Sequence, residues 1–269
     1  MHDHGVNGVS GRTRSWSWVV VLAVGLGLYF LVRHAIITTG NPNYVPSLIL
    51  LGAAVAPASF LTFMAGRRMG YNVGGGLVAF TALVGGVVGV VTAGLLEYDT
   101  LRRLGVVPMF AVGAIEEAAK LLAPLVLLVF VRPRRTADGL LLGVASGAGF
   151  AVLETMGYAF VALIKSQGDL AVVDGVLFVR GVLSPAAHMA WTGLTAAALW
   201  TAAERRFHPR ALARFAGVYV VAVLLHTVWD SIGDLAGYAV LSGVSLTLLT
   251  VTAHRATRES RALPARARR

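Results

Sequence analysis

"MFAVGAIEEAAKLLAPLVLLVF", Met109 to Phe130, is long and apolar enough to cross a bilayer as a helix, yet it carries Glu116, Glu117 and Lys120 in its middle. A hydrocarbon core of roughly 30 Å needs about 20 predominantly apolar residues at a helical rise of about 1.5 Å each. A lysine or aspartate at the centre of such a helix costs about 2.5 to 3.5 kcal/mol on insertion scales. Charges kept at that depth need partners, and the rest of the chain supplies them.

Apolar residues make up 57% of the 269 and charged residues 13%, with a mean hydropathy of +0.73, which excludes a soluble domain. Apolar windows recur at 16–37, 44–65, 74–96, 107–131, 139–164, 177–200, 212–233 and 235–254. Lipid cannot satisfy backbone polar groups, and these windows are far too long for barrel strands, so each is expected to be a helix. The expected fold is all-α, a polytopic transmembrane helical bundle of about eight spans, forming a single integral membrane domain over 1–269. The first window is too long for a signal peptide and lacks a small-residue cleavage site, so it reads as a retained anchor. The absence of cysteine excludes disulfides, thiol nucleophiles and thiolate metal sites.

The formal charge of +10 is unevenly placed. With both termini in the cytoplasm, seventeen Lys and Arg fall on that side against five on the other, and Lys120 lies inside the membrane. That positive-inside asymmetry sets the expected orientation. Residues 1–15 and 256–269 read as disordered basic cytoplasmic tails. The second, within "HRATRESRALPARARR" (His254 to Arg269), is expected to attract anionic lipid, with no nucleic-acid role.

Orientation gives depth. Glu116 and Glu117 lie roughly ten residues from the outer surface on the fourth span, and Glu154 and His188 lie at similar depth on the fifth and sixth. His226 and Asp230 reach the same layer from the seventh span. At 100° per residue Lys120 falls between Glu116 and Glu117, and Glu154 shares a stripe with Gly139, Gly143, Gly147 and Phe150. Four helices therefore present their rare polar groups to one another in the outer half of the membrane. Four carboxylates and one lysine cannot remain at a net charge near minus three in a low dielectric, so either some acids hold protons or a divalent cation is present. Two histidines with one to three carboxylates, Glu116 and Glu154 among them, suit a catalytic zinc with a water at the open position. Without metal, glutamate as general base and histidine as oxyanion donor would also activate water.

The motifs "EEAAK" (Glu116 to Lys120), "GFAVLE" (Gly149 to Glu154), "RGVLSPAAH" (Arg180 to His188) and "HTVWD" (His226 to Asp230), in this order on four successive spans, resemble the PrsW family of intramembrane proteases. That family belongs to the group that contains the type II CAAX prenyl proteases. In the CAAX branch the first motif carries an arginine and the second a histidine; Lys120 and Glu154 stand at those places here and favour PrsW. The resemblance implies hydrolysis of a peptide bond of a membrane-protein substrate in a bacterial cytoplasmic membrane. Glu116 and Glu117 would activate water, His188 and His226 would bind zinc or stabilise the oxyanion, and Glu154 and Asp230 would complete the site. Lys120, Phe150 and Arg180 would support it. The family is associated with site-1 cleavage of an anti-sigma factor.

Two other classes compete. Buried carboxylates and histidines also build proton- or cation-coupled transporters, but those show internal repeats and paired broken helices, and the sequence suggests neither. A non-catalytic scaffold would use the cluster for helix association alone.

Overall fold

The computed structural model describes residues 13–67, 69–130 and 135–266; the N-terminal tail read at 1–15 lies almost wholly outside them. Ten α-helices follow one another, with no strand among the described residues: α1 (Thr13–Thr39), α2 (Val45–Gly66), α3 (Gly75–Leu104), α4 (Met109–Lys120), α5 (Leu122–Phe130), α6 (Thr136–Lys165), α7 (Leu170–Val176), α8 (His188–Glu204), α9 (Pro209–Ser231) and α10 (Leu235–Arg266). Seven stretches of the described residues are long and apolar enough to cross a membrane. α10 stays helical through Arg266, past residue 256 where the sequence reading began the tail; its Ala, Arg and Glu residues are good helix formers.

The crossing expected as one helix over 107–131 is instead two, α4 and α5, broken at Leu121. The cause is Pro124, which has no N–H to give the carbonyl four residues back, that of Lys120. Ser146 on α6 satisfies that carbonyl, its hydroxyl donating at 2.7 Å. The Leu121 N–H turns to the Ala118 carbonyl at 3.1 Å, closing the last turn of α4.

The crossing expected over 177–200 is also interrupted. α7 runs into a π-helical turn, Leu177–Val182, then a 3-10 turn, Ser184–Ala186, before α8 begins at His188. Here Pro185 deprives the Gly181 carbonyl of its partner, and the Ser184 hydroxyl donates to it at 2.8 Å. The chain then steps sideways at Ala187 (φ −114°, ψ −110°), which delivers His188 as the first residue of α8. Broken helices are thus present, and their expected absence no longer argues against a transporter.

α6 and α8 form the centre. The glycine stripe of α6 packs against α8: a Cβ at Gly139 would lie 2.5 Å from the Trp200 ring, and one at Gly147 would lie 2.5 Å from the His188 carbonyl oxygen. On the other side of α6, a Cβ on Gly149 would overlap the Ala82 carbonyl of α3. These contacts bring the backbones of α3, α6 and α8 close enough for short polar side chains to meet. The side-chain distribution is inverted relative to a water-soluble protein. Leu83, Leu95, Leu104, Val129 and Phe130 face outward, while Glu116, Glu117, Lys120, His188 and His226 are buried.

Candidate active site

α4 supplies Glu116, Glu117 and Lys120 on one face, as the helical phase requires. The Lys120 ammonium has only donors, and it donates to Glu117 Oε1 (2.8 Å) and to His188 Nδ1 (2.8 Å). It also pairs with Glu116 Oε2 at 3.2 Å. Beneath it lies the Phe150 ring, 4.2 Å from the ammonium to the centroid, a cation–π contact in a place closed to water.

His226 on α9 stands between carboxylates. Its Nδ1 is 2.9 Å from Glu117 Oε1, and its Nε2 is 3.2 Å from Asp230 Oδ2 and 3.4 Å from Glu116 Oε2. His188 Nδ1 already accepts from Lys120, so in the neutral ring Nε2 carries the hydrogen; Glu154 Oε2 lies 3.0 Å from that nitrogen, at angles outside those of a hydrogen bond. Glu154 Oε1 in turn lies 2.6 Å from Arg180 Nη2, an ion pair at angles outside those of a hydrogen bond. Arg180, on the π-helical turn, lies over the Tyr158 ring at 3.8 Å. The eight side chains singled out from the sequence with Glu154 (Glu116, Glu117, Lys120, Phe150, Arg180, His188, His226 and Asp230) are thereby joined into one network.

Ligand atoms of Glu116, His188 and His226 lie within 4.8 Å of one another, close enough to share a metal ion. The donor types fit a divalent cation, which His188 would hold through Nδ1 in place of the Lys120 ammonium or through Nε2 in its other tautomer. Two imidazoles and a carboxylate are the ligand types of hydrolytic zinc sites, and ligands around a tetrahedral ion with bonds of about 2.1 Å sit roughly 3.4 Å apart. Glu116 Oε2 and His226 Nε2 are 3.4 Å apart, and both are buried without a hydrogen bond. The Nδ1–H of His226 donating to Glu117 is the carboxylate–histidine support that metal-bound imidazoles use. Glu154, expected among the ligands, is engaged by Arg180 and His188 and stands outside this group of three.

Several contacts were not anticipated from the sequence, although Tyr219 shares its helix face with His226 and Asp230. Trp191, fully buried, covers both histidines, with its ring 5.1 Å from His226 and 5.6 Å from His188, and its N–H donates to Ser245 at 2.9 Å. Ser146 fixes the end of α4 that carries Lys120. The Tyr219 hydroxyl donates to the Ala114 carbonyl at 2.6 Å and ties α9 to α4. A hydroxyl that bonds a carbonyl on another helix leaves no mark on helical periodicity.

Fold and site together define a class: a multi-pass helical membrane protein that buries a carboxylate–histidine centre suited to hydrolysis. A family model described as PrsW family intramembrane metalloprotease matches residues 74–254, more than half of the chain, and the chain belongs to that family. It is an intramembrane protease, its substrates are membrane proteins, and its family implies a divalent metal. No curated protein and no solved structure matches the chain. The matched region begins after α2, so α1 and α2 lie outside it.

Proposed function

We propose that the protein hydrolyses a peptide bond of a membrane-protein substrate in the outer half of a bacterial cytoplasmic membrane, with zinc held by Glu116, His188 and His226. The observation that carries this reading is the buried, unbonded pair Glu116 Oε2 and His226 Nε2 at ligand spacing beside His188. A bound divalent ion supplies Lewis-acid polarisation of water or of the scissile carbonyl. Glu117 fixes the His226 tautomer through Oε1, while its Oε2, buried without a bond, takes the proton of the attacking water. Arg180 holds Glu154 beside His188, and Asp230 places a further carboxylate 3.2 Å from His226 Nε2, the nitrogen offered to the ion. Lys120 offsets part of the carboxylate charge from above the Phe150 ring.

The ammonium bonded directly to His188 favours one second reading, in which glutamate activates water with no metal and the histidines donate to the oxyanion. The substrate we assign, an anti-sigma factor cut at site 1, rests on the family alone. The positive-inside count supports cytoplasmic termini, with the arginines of the C-terminal tail facing anionic lipid.

The test is cleavage of a single-span substrate by the lipid-reconstituted protein, with fragments identified by mass spectrometry. Wild type should yield two complementary fragments, and folded Glu117→Gln and His226→Ala should yield none. Cleavage by His226→Ala at the wild-type rate would overturn the reading.

A further inference from the structure

Hydropathy closes the third span at 96, one residue short of an acid. α3 runs on to Leu104, and so Glu97 belongs to the bundle. Close contacts fix its level. Along α3, Gly85 faces Ser146 and Ala123, Gly86 faces Gly149, and Gly89 faces Phe150 and Ala119. Ala93 then clusters with Phe150 and Ala119. Glu97 is one turn further, which sets its backbone about a turn beyond Glu116 and Glu154 towards the Leu104 end. Helical Cα–Cβ bonds tilt towards the N-terminus of their helix, so the side chain leans back to that layer.

Two observations agree with this placement. Electrostatic interactions reach Glu97 from Glu154, His226, Lys120 and Asp230, and reach Glu116 from Glu97. Its Oε1 is buried and has no hydrogen-bond partner, while the residue as a whole is only half-buried. Every other carboxylate of the layer has a partner: Glu116 and Glu117 have Lys120 and His226, Glu154 has Arg180 and His188, and Asp230 has His226. Among the described residues, no cation pairs with Glu97. One of its oxygens is buried on the side of the layer while the residue as a whole stays half-exposed, the placement a group needs to pass a proton between the two.

Hydrolysis of a peptide bond needs a base for the water and an acid for the departing nitrogen. We propose that Glu97 is that acid: it protonates the leaving amine and draws its proton from the aqueous surface at the Leu104 end. This role rests on the hydrolytic reading of the site given above. The water oxygen bonds to the carbonyl carbon as its proton passes to Glu117. The C–N bond breaks with its electron pair going to nitrogen, which takes the proton of Glu97. Glu117 is left protonated and Glu97 ionised, and one proton passing between them through solvent resets the site. The products are a carboxylic acid and an amine, with no net proton gained or lost by the enzyme.

The experiment compares wild type, Glu97→Gln and Glu97→Asp on two substrates of the same sequence, one with the scissile amide and one with an ester in its place. An alkoxide departs with far less help from an acid than an amine does. Glu97→Gln should lower kcat on the amide by about 10²-fold or more, the usual share of a general acid, with KM little changed. Its loss on the ester should be much smaller, and Glu97→Asp should recover part of the amide activity. Melting temperature and metal content equal to wild type show that the variants are folded and loaded. Amide cleavage by Glu97→Gln within about twofold of an active wild type, or equal losses on amide and ester, would overturn this role alone. A wild type that cleaves neither substrate would overturn the hydrolytic reading and this role with it.

Discussion

Two clusters of carboxylate and cation hold this bundle together at different depths. At the centre, Glu117 and Lys120 meet at 2.8 Å with both side chains 0% exposed. Between α1 and α7, Asp174 takes Arg33 at 2.8 Å and the Tyr29 hydroxyl, with the ionic side chains 35% and 25% exposed. The bond lengths match, but the surroundings do not. A buried ion pair costs a great deal to desolvate, and removing one partner leaves the other charge stranded; a partly wetted pair gains little and loses little. The central cluster is therefore where substitutions should be felt, and the outer one should act as a modest clasp between α1, which lies outside the family match, and α7, which lies within it.

The largest effect expected from this contrast is on catalysis. Glu117→Gln and His226→Ala should each lower substrate cleavage by about 10³-fold or more, measured on folded protein in lipid. Next comes Lys120→Met, which strands Glu117 and should lower stability by about 3 to 5 kcal/mol in a denaturation experiment. A smaller loss, about 1 to 3 kcal/mol, is expected for Ser146→Ala, which leaves the Lys120 carbonyl buried and unbonded at the α4–α5 break. Smallest of all, Arg33→Gln should cost about 1 kcal/mol or less and leave cleavage nearly unchanged. An Arg33 variant as damaging as the Lys120 variant would erase the distinction between the two clusters.

Much of this was legible in the sequence. Hydropathy marks the crossings because lipid imposes length and helicity on them, and the shared depth of Glu116, Glu154, His188 and His226 follows from counting residues along helices of known rise. The glycine stripe of α6 announced a close contact, and the contact is with α8. The breaks at Leu121 and Ala187 were less visible, although Pro124 and Pro185 mark them, because a proline tells only that a carbonyl is freed. Whether a serine from another helix or from the same turn takes that carbonyl is a tertiary matter. Glu97 escaped for a simpler reason: a hydropathy window ends at a charge, whereas the helix continues wherever the backbone bonds allow. The partners of Glu154 were also beyond reach, since a carboxylate suits a metal and an arginine equally well.

The most direct measurement is the metal content per chain of detergent-purified protein, by mass spectrometry, for wild type beside Glu116→Gln, His226→Ala and Arg33→Gln. Near-stoichiometric zinc in wild type and in Arg33→Gln, lost from the other two, is the expected result and identifies the buried layer as the metal site. Active wild type free of metal, or zinc retained by both Glu116→Gln and His226→Ala, would contradict it.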